Sequence, residues 1–262
     1  MRLTLLVFAV LLFCSPALAT ELSADEIAKK SYEHQVMDFS AATADMRMEL
    51  IEDQKVIETR TVRIKSIKIK EGKELLRRSL MTFIEPGDVA GTAFLSIELP
   101  NDADDDQFLY LPALKKVLRK GGKSGKGESF MGTQFSYGDM ETKDVSRATH
   151  TRMPDEKIGD ADCYVVESIP KNPKDENYSR YQSWIRKSDF VALRIKLYNT
   201  KGEFQKVMLA EKTELIDGKA TITQMSMLNM QNKKATRLLI SNINTKAKLS
   251  PSDFAKDRMT AM

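Results

Sequence analysis

Phe108-Leu-Tyr-Leu-Pro-Ala-Leu-Lys-Lys-Val-Leu-Arg119 runs through a Gly- and Lys-rich loop into Ser129-Phe-Met-Gly-Thr-Gln-Phe-Ser-Tyr-Gly-Asp-Met140. The first part holds a dense apolar and aromatic strand, Phe108 to Leu111, that stops at Pro112. The second part places Phe130, Met131, Phe135 and Tyr137 on a Gly- and Ser-containing segment with neither strand nor helix period. Bulky apolar groups on irregular backbone are either tucked beneath other elements or held for a ligand.

Working outward, the chain alternates with a period of two. Ala44, Met46, Met48 and Leu50 alternate with Asp45, Arg47 and Glu49, which predicts a strand with one buried face. Val56–Ile69 predicts a long second strand. Its phase slips between Ile64 and Ile67, which suggests a bulge or bend. Leu75–Ile84, Ala93–Leu99 and Phe108–Leu111 follow, and Val117-Leu118 either extends the last of these or begins another. The pattern resumes at Asp160–Ile169, then Tyr181–Arg186 with the only tryptophan, Trp184, then Val191–Leu197, Phe204–Ala210, Ala220–Met230 and Lys234–Ile243. Turn signals separate them, Asp217-Gly218 among the strongest. Before the strands, the capping box Ser23-Ala-Asp-Glu26 predicts a helix over Ala24–Met37, with Ile27, Tyr32 and Val36 apolar. After them, Ser250-Pro-Ser-Asp-Phe254 predicts a short helical start anchored by Phe254. About ten or eleven strands at hairpin spacing make an antiparallel meander. Its apolar face needs a cover, and the front helix is the available lid. No repeat or composition shift divides residues 20–262, which read as one domain.

The first residues read as a processing segment. Arg2, the apolar run Leu3–Phe13 and Ala17-Leu-Ala19 predict a signal peptide over residues 1–19, cleaved after Ala19. Lipidation at Cys14 is the rival reading. Only Cys163 follows, so no intramolecular disulfide can form after cleavage. The formal charge is +4, and one less without Arg2, which gives no argument for nucleic acid. The charge is clumped: Asp102, Asp104, Asp105 and Asp106 form an acidic knot, and Lys115, Lys116, Arg119, Lys120, Lys123 and Lys126 a basic run. Two readings stay open: a pair of solvated loops, or a docking surface centred on Lys115, Lys116, Arg119 and Lys120 for a charged partner or anionic headgroups.

Candidate chemistry is sparse. His34 and His150 are the only histidines, without Cys or carboxylate at metal-ligand spacing. Gly121-Gly-Lys-Ser124 lacks the first glycine of a phosphate loop and the helix that should follow. No G-x-S-x-G occurs, and Asp102–Asp106 lacks the glycine and closing glutamate of a calcium loop. The chain therefore reads as a binding protein, not an enzyme, with no cofactor and no metal. The 14 methionines suit that reading, since Met fills irregular apolar space. Met46, Met48 and Leu50 share one strand face, and Met225 and Met227 another, so they point into one interior.

The runs Phe83–Leu95 (FIEPGDVAGTAFL), Phe108–Arg119 (FLYLPALKKVLR) and Ser129–Met140 (SFMGTQFSYGDM) resemble the periplasmic outer-membrane lipoprotein-sorting-like, or LolA-like, family, in particular its transporter-associated subgroup. The resemblance extends over most of the chain after Ala19. It implies a mostly β, α+β fold: a single strongly curved antiparallel sheet, a half-barrel, wrapped around helices with an apolar cavity. It further implies a monomeric periplasmic carrier or chaperone. Such a carrier binds the acyl chains of lipoproteins or lipids, touches membranes transiently and moves its cargo between inner and outer membrane, with a resistance-nodulation-division-type transporter as inner-membrane partner. The alternative from another class is an envelope sensor on the same fold that binds lipid or lipoprotein and signals to a membrane partner.

Strand phase and aromatic content nominate Met46, Met48, Leu50, Phe94, Phe108, Tyr110, Phe130, Met131, Phe135, Tyr137 and Trp184 as lipid-binding residues. An acyl chain of about sixteen carbons gains about 12 kcal/mol on burial, before the cost of ordering it. A carrier must also release its cargo, so its pocket should be partly filled by its own side chains. Phe130, Met131, Phe135 and Tyr137 are the candidates for that plug.

Overall fold

The computed structural model describes residues 21–34, 36–101, 103–122, 125–141, 144–173 and 176–260. The processing segment, Asp102 and Lys123 lie outside them.

One helix, α1 (Ala24–Tyr32), opens the described chain. Ser23 Oγ accepts from the Glu26 amide at 3.2 Å, and the Glu26 carboxylate accepts from the Ser23 amide at 2.8 Å, so the predicted capping box forms. The helix ends at Tyr32 rather than Met37. Glu33 caps it, and Met37 takes a left-handed backbone (φ 59°) that brings Asp38 onto Lys68, Arg77 and Lys219.

Thirteen strands follow: β1 (Ala41–Glu52), β2 (Lys55–Glu71), β3 (Glu74–Glu85), β4 (Ala93–Ile97), β5 (Asp106–Leu111), β6 (Lys116–Lys120), β7 (Ala148–Ile158), β8 (Ala161–Pro170), β9 (Tyr178–Arg186), β10 (Ala192–Asn199), β11 (Phe204–Ile216), β12 (Lys219–Asn229) and β13 (Ala235–Asn244). They form one antiparallel sheet in the order β6-β5-β4-β3-β2-β1-β13-β12-β11-β10-β9-β8-β7. Two meanders, β1 to β6 and β7 to β13, are zipped together where β1 pairs with β13, for example Met46 opposite Ile240 and Met48 opposite Leu238. The edges β6 and β7 stay apart, so the sheet is a curved half-barrel and not a closed barrel.

One open alternative is settled and two expectations are corrected. Val117-Leu118 lies in a separate strand, β6, after a turn of 3-10 helix over Pro112–Leu114. A strand not predicted from the sequence, β7, precedes the expected Asp160–Ile169. It is polar, contains Pro154 and forms a sheet edge, where charge and proline are tolerated and apolar alternation is not required. Finally, β2 has no bulge between Ile64 and Ile67, and its register against β3 is continuous from Val62 to Glu71. The change of phase is a change of buried face.

The sheet is covered on both sides. On the concave face the main core gathers Met46, Met48, Val62, Ile64, Phe83, Phe94, Met208, Met225 and Leu238. The predicted interior methionine faces therefore do converge. Helix α1 joins from one end, with Ile27 packed on Val166 and Ile185. On the convex face, the C-terminal turns Pro251–Phe254 and Lys256–Thr260 cover Ile67, Leu80, Leu95 and Phe108 with Phe254 and Met259. A second convex patch holds Cys163, Val165 and Trp184.

Candidate functional site

The concave face and α1 enclose a cavity of about 520 Å³, within the range of small-molecule sites. Its apolar wall is built by inward residues of β1 to β3 and β8 to β13, including Met46, Met48, Ile64, Met81, Met208 and Met225. Its polar wall carries Asp105, Glu141, Asp144, Arg147, His150 and Glu176. The cavity is amphiphilic, which matches a ligand with an apolar body and a polar end.

The segment between β6 and β7 crosses this interior. Phe130 is 1% exposed and stands 4.9 Å edge-on to Phe94 and 5.6 Å edge-on to Tyr137, with Phe83 at 6.3 Å. Such edge-to-face pairs add about 0.5–1.5 kcal/mol each beyond their burial. A small hairpin holds the ring cluster: the Phe130 amide donates to Phe135 O at 2.8 Å, and Thr133 Oγ1 donates to Phe130 O at 2.7 Å. The hairpin is fastened to the sheet by the Gln134 amide, which donates to Thr236 Oγ1 at 2.9 Å. Gly138 is needed here, since a Cβ would stand 2.3 Å from Asn177 Nδ2, and that amide donates to Lys126 O at 2.8 Å. Burial pushes the Tyr137 phenol up to about 12, with the charge of Glu128 adding to the effect.

Part of the clumped charge is paired within the fold. Lys126, part of the basic run, is 1% exposed and lies 2.6 Å from Asp104 and 3.2 Å from Glu141. Arg147 bridges Asp104 at 2.9 Å and Glu176 at 3.2 Å. Arg119 pairs with Asp106 and Lys120 with Glu128. Asp105 is buried and accepts from Ser96 Oγ at 3.0 Å. Lys126 and Asp104 thus tie the basic run to the acidic knot inside the fold, whereas Arg119 stays largely exposed, as the solvated-loop reading expects. Lys115 and Lys116 remain exposed beside the β6 edge.

Among the predicted lipid-binding residues, Met46, Met48, Phe130 and Phe135 line the cavity. Phe94 and Tyr137 are buried in the same core behind that wall, and Leu50 and Met131 pack against it. Three face the other way. Phe108 and Tyr110 belong to the convex cluster under the C-terminal turns, with Lys256 Nζ 3.8 Å from the Phe108 ring centre, because it is Phe94 and Leu109 that point inward. Trp184 is 2% exposed, but its neighbours Ser183 and Ile185 line the cavity. Trp184 itself donates to Glu156 Oε2 at 2.7 Å and lies under Lys196 and Arg194. Ile64, Ser66, Ser79, Met81 and Ile240 line the cavity without having been predicted; their signal was strand phase. The slip at Ser66 marked a polar residue on the cavity wall rather than a bulge.

Comparison with known proteins places the chain. A matching family model, described only as an uncharacterized protein, covers residues 76–261. A crystal structure from Vibrio parahaemolyticus, ascribed to an outer membrane lipoprotein-sorting protein domain, is 31% identical, covering 90% of this chain and 98% of its own, with a TM-score of 0.82. This chain belongs to the outer-membrane lipoprotein-sorting-like (LolA-like) family. A DUF1329 family protein from Desulfovibrio piger is 29% identical over 90% of the LolA-like chain and 97% of its own, with a TM-score of 0.83. A LolA superfamily protein from Nitrosomonas europaea, at 18% identity over 91% and 100% of the two chains, shares the fold with a TM-score of 0.71. No curated protein matches. Among the described residues, no helix of this LolA-like chain is long and apolar enough to cross a membrane, and no His/Cys/Asp/Glu group is arranged to hold a metal ion.

Proposed function

We propose that this protein is a periplasmic carrier that binds the acyl chains of lipoproteins or lipids in its concave cavity. The observation that carries the reading is the cavity of about 520 Å³ on the concave face, walled by methionines and partly filled by the chain's own Phe130 and Phe135. A site of flexible thioethers with a self-supplied plug suits cargo that must enter and leave. The family's lipoprotein-sorting members support the cargo class, and the resemblance of Phe83–Met140 to the transporter-associated subgroup is the ground for an inner-membrane transporter of the resistance-nodulation-division type as donor or acceptor. The signal-peptide pattern supports export, with a mature protein that begins after Ala19.

The test is transfer of a fluorescent diacyl lipid from donor to acceptor vesicles separated by a membrane permeable only to the protein. A carrier raises the transfer rate in proportion to protein concentration. Tight binding with no transfer, together with a change in affinity for a membrane partner, would favour an envelope sensor instead.

A further inference from the structure

Ser66 of β2 is 1% exposed, lines the cavity, and its Oγ has no hydrogen-bond partner among the described residues. Buried hydroxyls are almost always bonded, so an unmatched one on a cavity wall points to a group that arrives from outside. It does not stand alone. Across the sheet Ser66 is opposite Ala42 of β1 and Ser79 of β3, and Ser79 is opposite Ser96 of β4. Ser66, Ser79 and Ser96 all line the cavity. One step along the strands in one direction lie Ile64, Met81 and Phe94, the apolar wall. One step in the other lie Lys68 and Arg77, both engaged by Asp38. The hydroxyl row therefore marks the boundary between the apolar and charged parts of the concave face.

An anion is a poor fit at this boundary. Of the side chains lining the cavity, five carboxylates (Asp105, Asp139, Glu141, Asp144 and Glu176) outnumber two guanidiniums (Arg77 and Arg147). Asp139, Glu141 and Glu176 themselves pair with Lys206, Lys126 and Arg147, and both guanidiniums are already ion-paired, so no guanidinium of the described lining is left over for an anion. A neutral carbonyl accepts from a serine hydroxyl without meeting that repulsion. Resting on the carrier reading above, we infer that Ser66 and Ser79 form a subsite for the uncharged acyl-ester carbonyls of the cargo. The subsite holds the cargo in one orientation, with chains toward Ile64 and Met81 and polar end toward Arg77. The shared chemistry is a diacylglycerol-type ester, whether free lipid or lipoprotein anchor.

The test is displacement of a bound fluorescent diacylglycerol from the mature protein by three probes: a dipalmitoyl glycerol ester, its dialkyl ether counterpart, and palmitate. The ester should compete better than the ether by roughly fivefold for each hydroxyl engaged, and better than palmitate at neutral pH. Ser66→Ala/Ser79→Ala should abolish the ester–ether difference while leaving ether binding unchanged, and Ser66→Ala alone should leave the melting temperature of the lipid-free protein unchanged or raised, because Ser66 Oγ has no partner to lose. Equal competition by ester and ether in the natural protein would overturn the subsite and leave the carrier reading intact. Failure of the fluorescent diacylglycerol and of all three competitors to bind would instead remove the carrier reading itself. If free dipalmitoylglycerol and a diacylated Cys peptide both show the ester preference, the subsite reads the ester alone. Preference for the peptide assigns the natural source to a lipoprotein.

Discussion

Arg60 Nη1 donates to the main-chain oxygen of Met131 across 2.6 Å, joining strand β2 to the hairpin that fills the cavity. The guanidinium is itself buried and steadied by Glu58 at 2.5 Å. A charge-assisted bond of this kind contributes about 1.5–3 kcal/mol. Arg60→Ala should therefore loosen residues 129–136. Hydrogen exchange should speed up at the amides of Phe130 and Phe135, and a bound lipid should dissociate more slowly, because the plug that competes with it is weakened. Unchanged exchange at those amides would mean that the bond does not restrain the plug.

Phe135 lines the cavity within the main core. Phe135→Ser should lower stability by about 3–5 kcal/mol, the range for emptying a buried aromatic site. It should alter lipid retention while circular dichroism still shows the folded sheet. Retention equal to that of the natural protein would remove the plug from the account.

Acid sensitivity should come chiefly from Asp38 and Asp104, the most buried of the carboxylates held below their ordinary values. Burial opposes ionisation of Asp38, but hydrogen bonds from Lys219 and Lys68 and the charge of Arg77 outweigh it and hold the group below its ordinary value of 3.8. Burial is likewise outweighed at Asp104 by Lys126 and Arg147. A group depressed in the fold stabilises it fully above the unfolded value and loses that contribution as pH falls through the folded one. Melting temperature should thus fall steeply below about pH 4. Asp38→Asn should lower it at pH 7 and flatten the acid limb. Parallel acid limbs for the two proteins would show that Asp38 is not a source of the pH dependence.

The convex cluster should bear on stability and not on cargo. Phe254 is 1% exposed against Ile67, Leu95 and Phe108, on the far side of the sheet from the cavity. Phe254→Ala should cost about 3–5 kcal/mol and leave lipid affinity per folded molecule unchanged. Weakened affinity in the still-folded fraction would tie the C-terminal turns to the cavity.

Cys163 is buried beside Val165 and Trp184, and burial raises its thiol above the usual range. The thiolate is the reactive form. The native mature protein should resist thiol reagents, and one equivalent should react only on denaturation. Fast native labelling would contradict the packing of the second convex patch.

Most of the architecture could be read before the fold was known, because strands with one buried face write their period into the sequence. Met46, Met48 and Met225 were legible in this way. What was not legible is the second buried face. The period-two rule assigns each strand one inside, whereas Ile64 and Ile67 are both buried on opposite sides of β2. The same ambiguity placed Phe108, Tyr110 and Trp184 in the cavity, since an aromatic side chain does not say which face will be covered. It also disguised Ser66, whose hydroxyl reads as a fault in the pattern when only apolar residues are counted as inward. The Asp104–Lys126 pair joins residues 22 apart through a loop with no period, so no local signal announces it.

The most direct test of the carrier account is native mass spectrometry of the mature protein purified from envelope extracts, followed by extraction and identification of whatever it holds. The account predicts a co-purifying acylated species, close to one per chain, lost more slowly from Arg60→Ala and at an altered rate from Phe135→Ser. A protein that is free of lipid, and that takes up none from added vesicles, would contradict it.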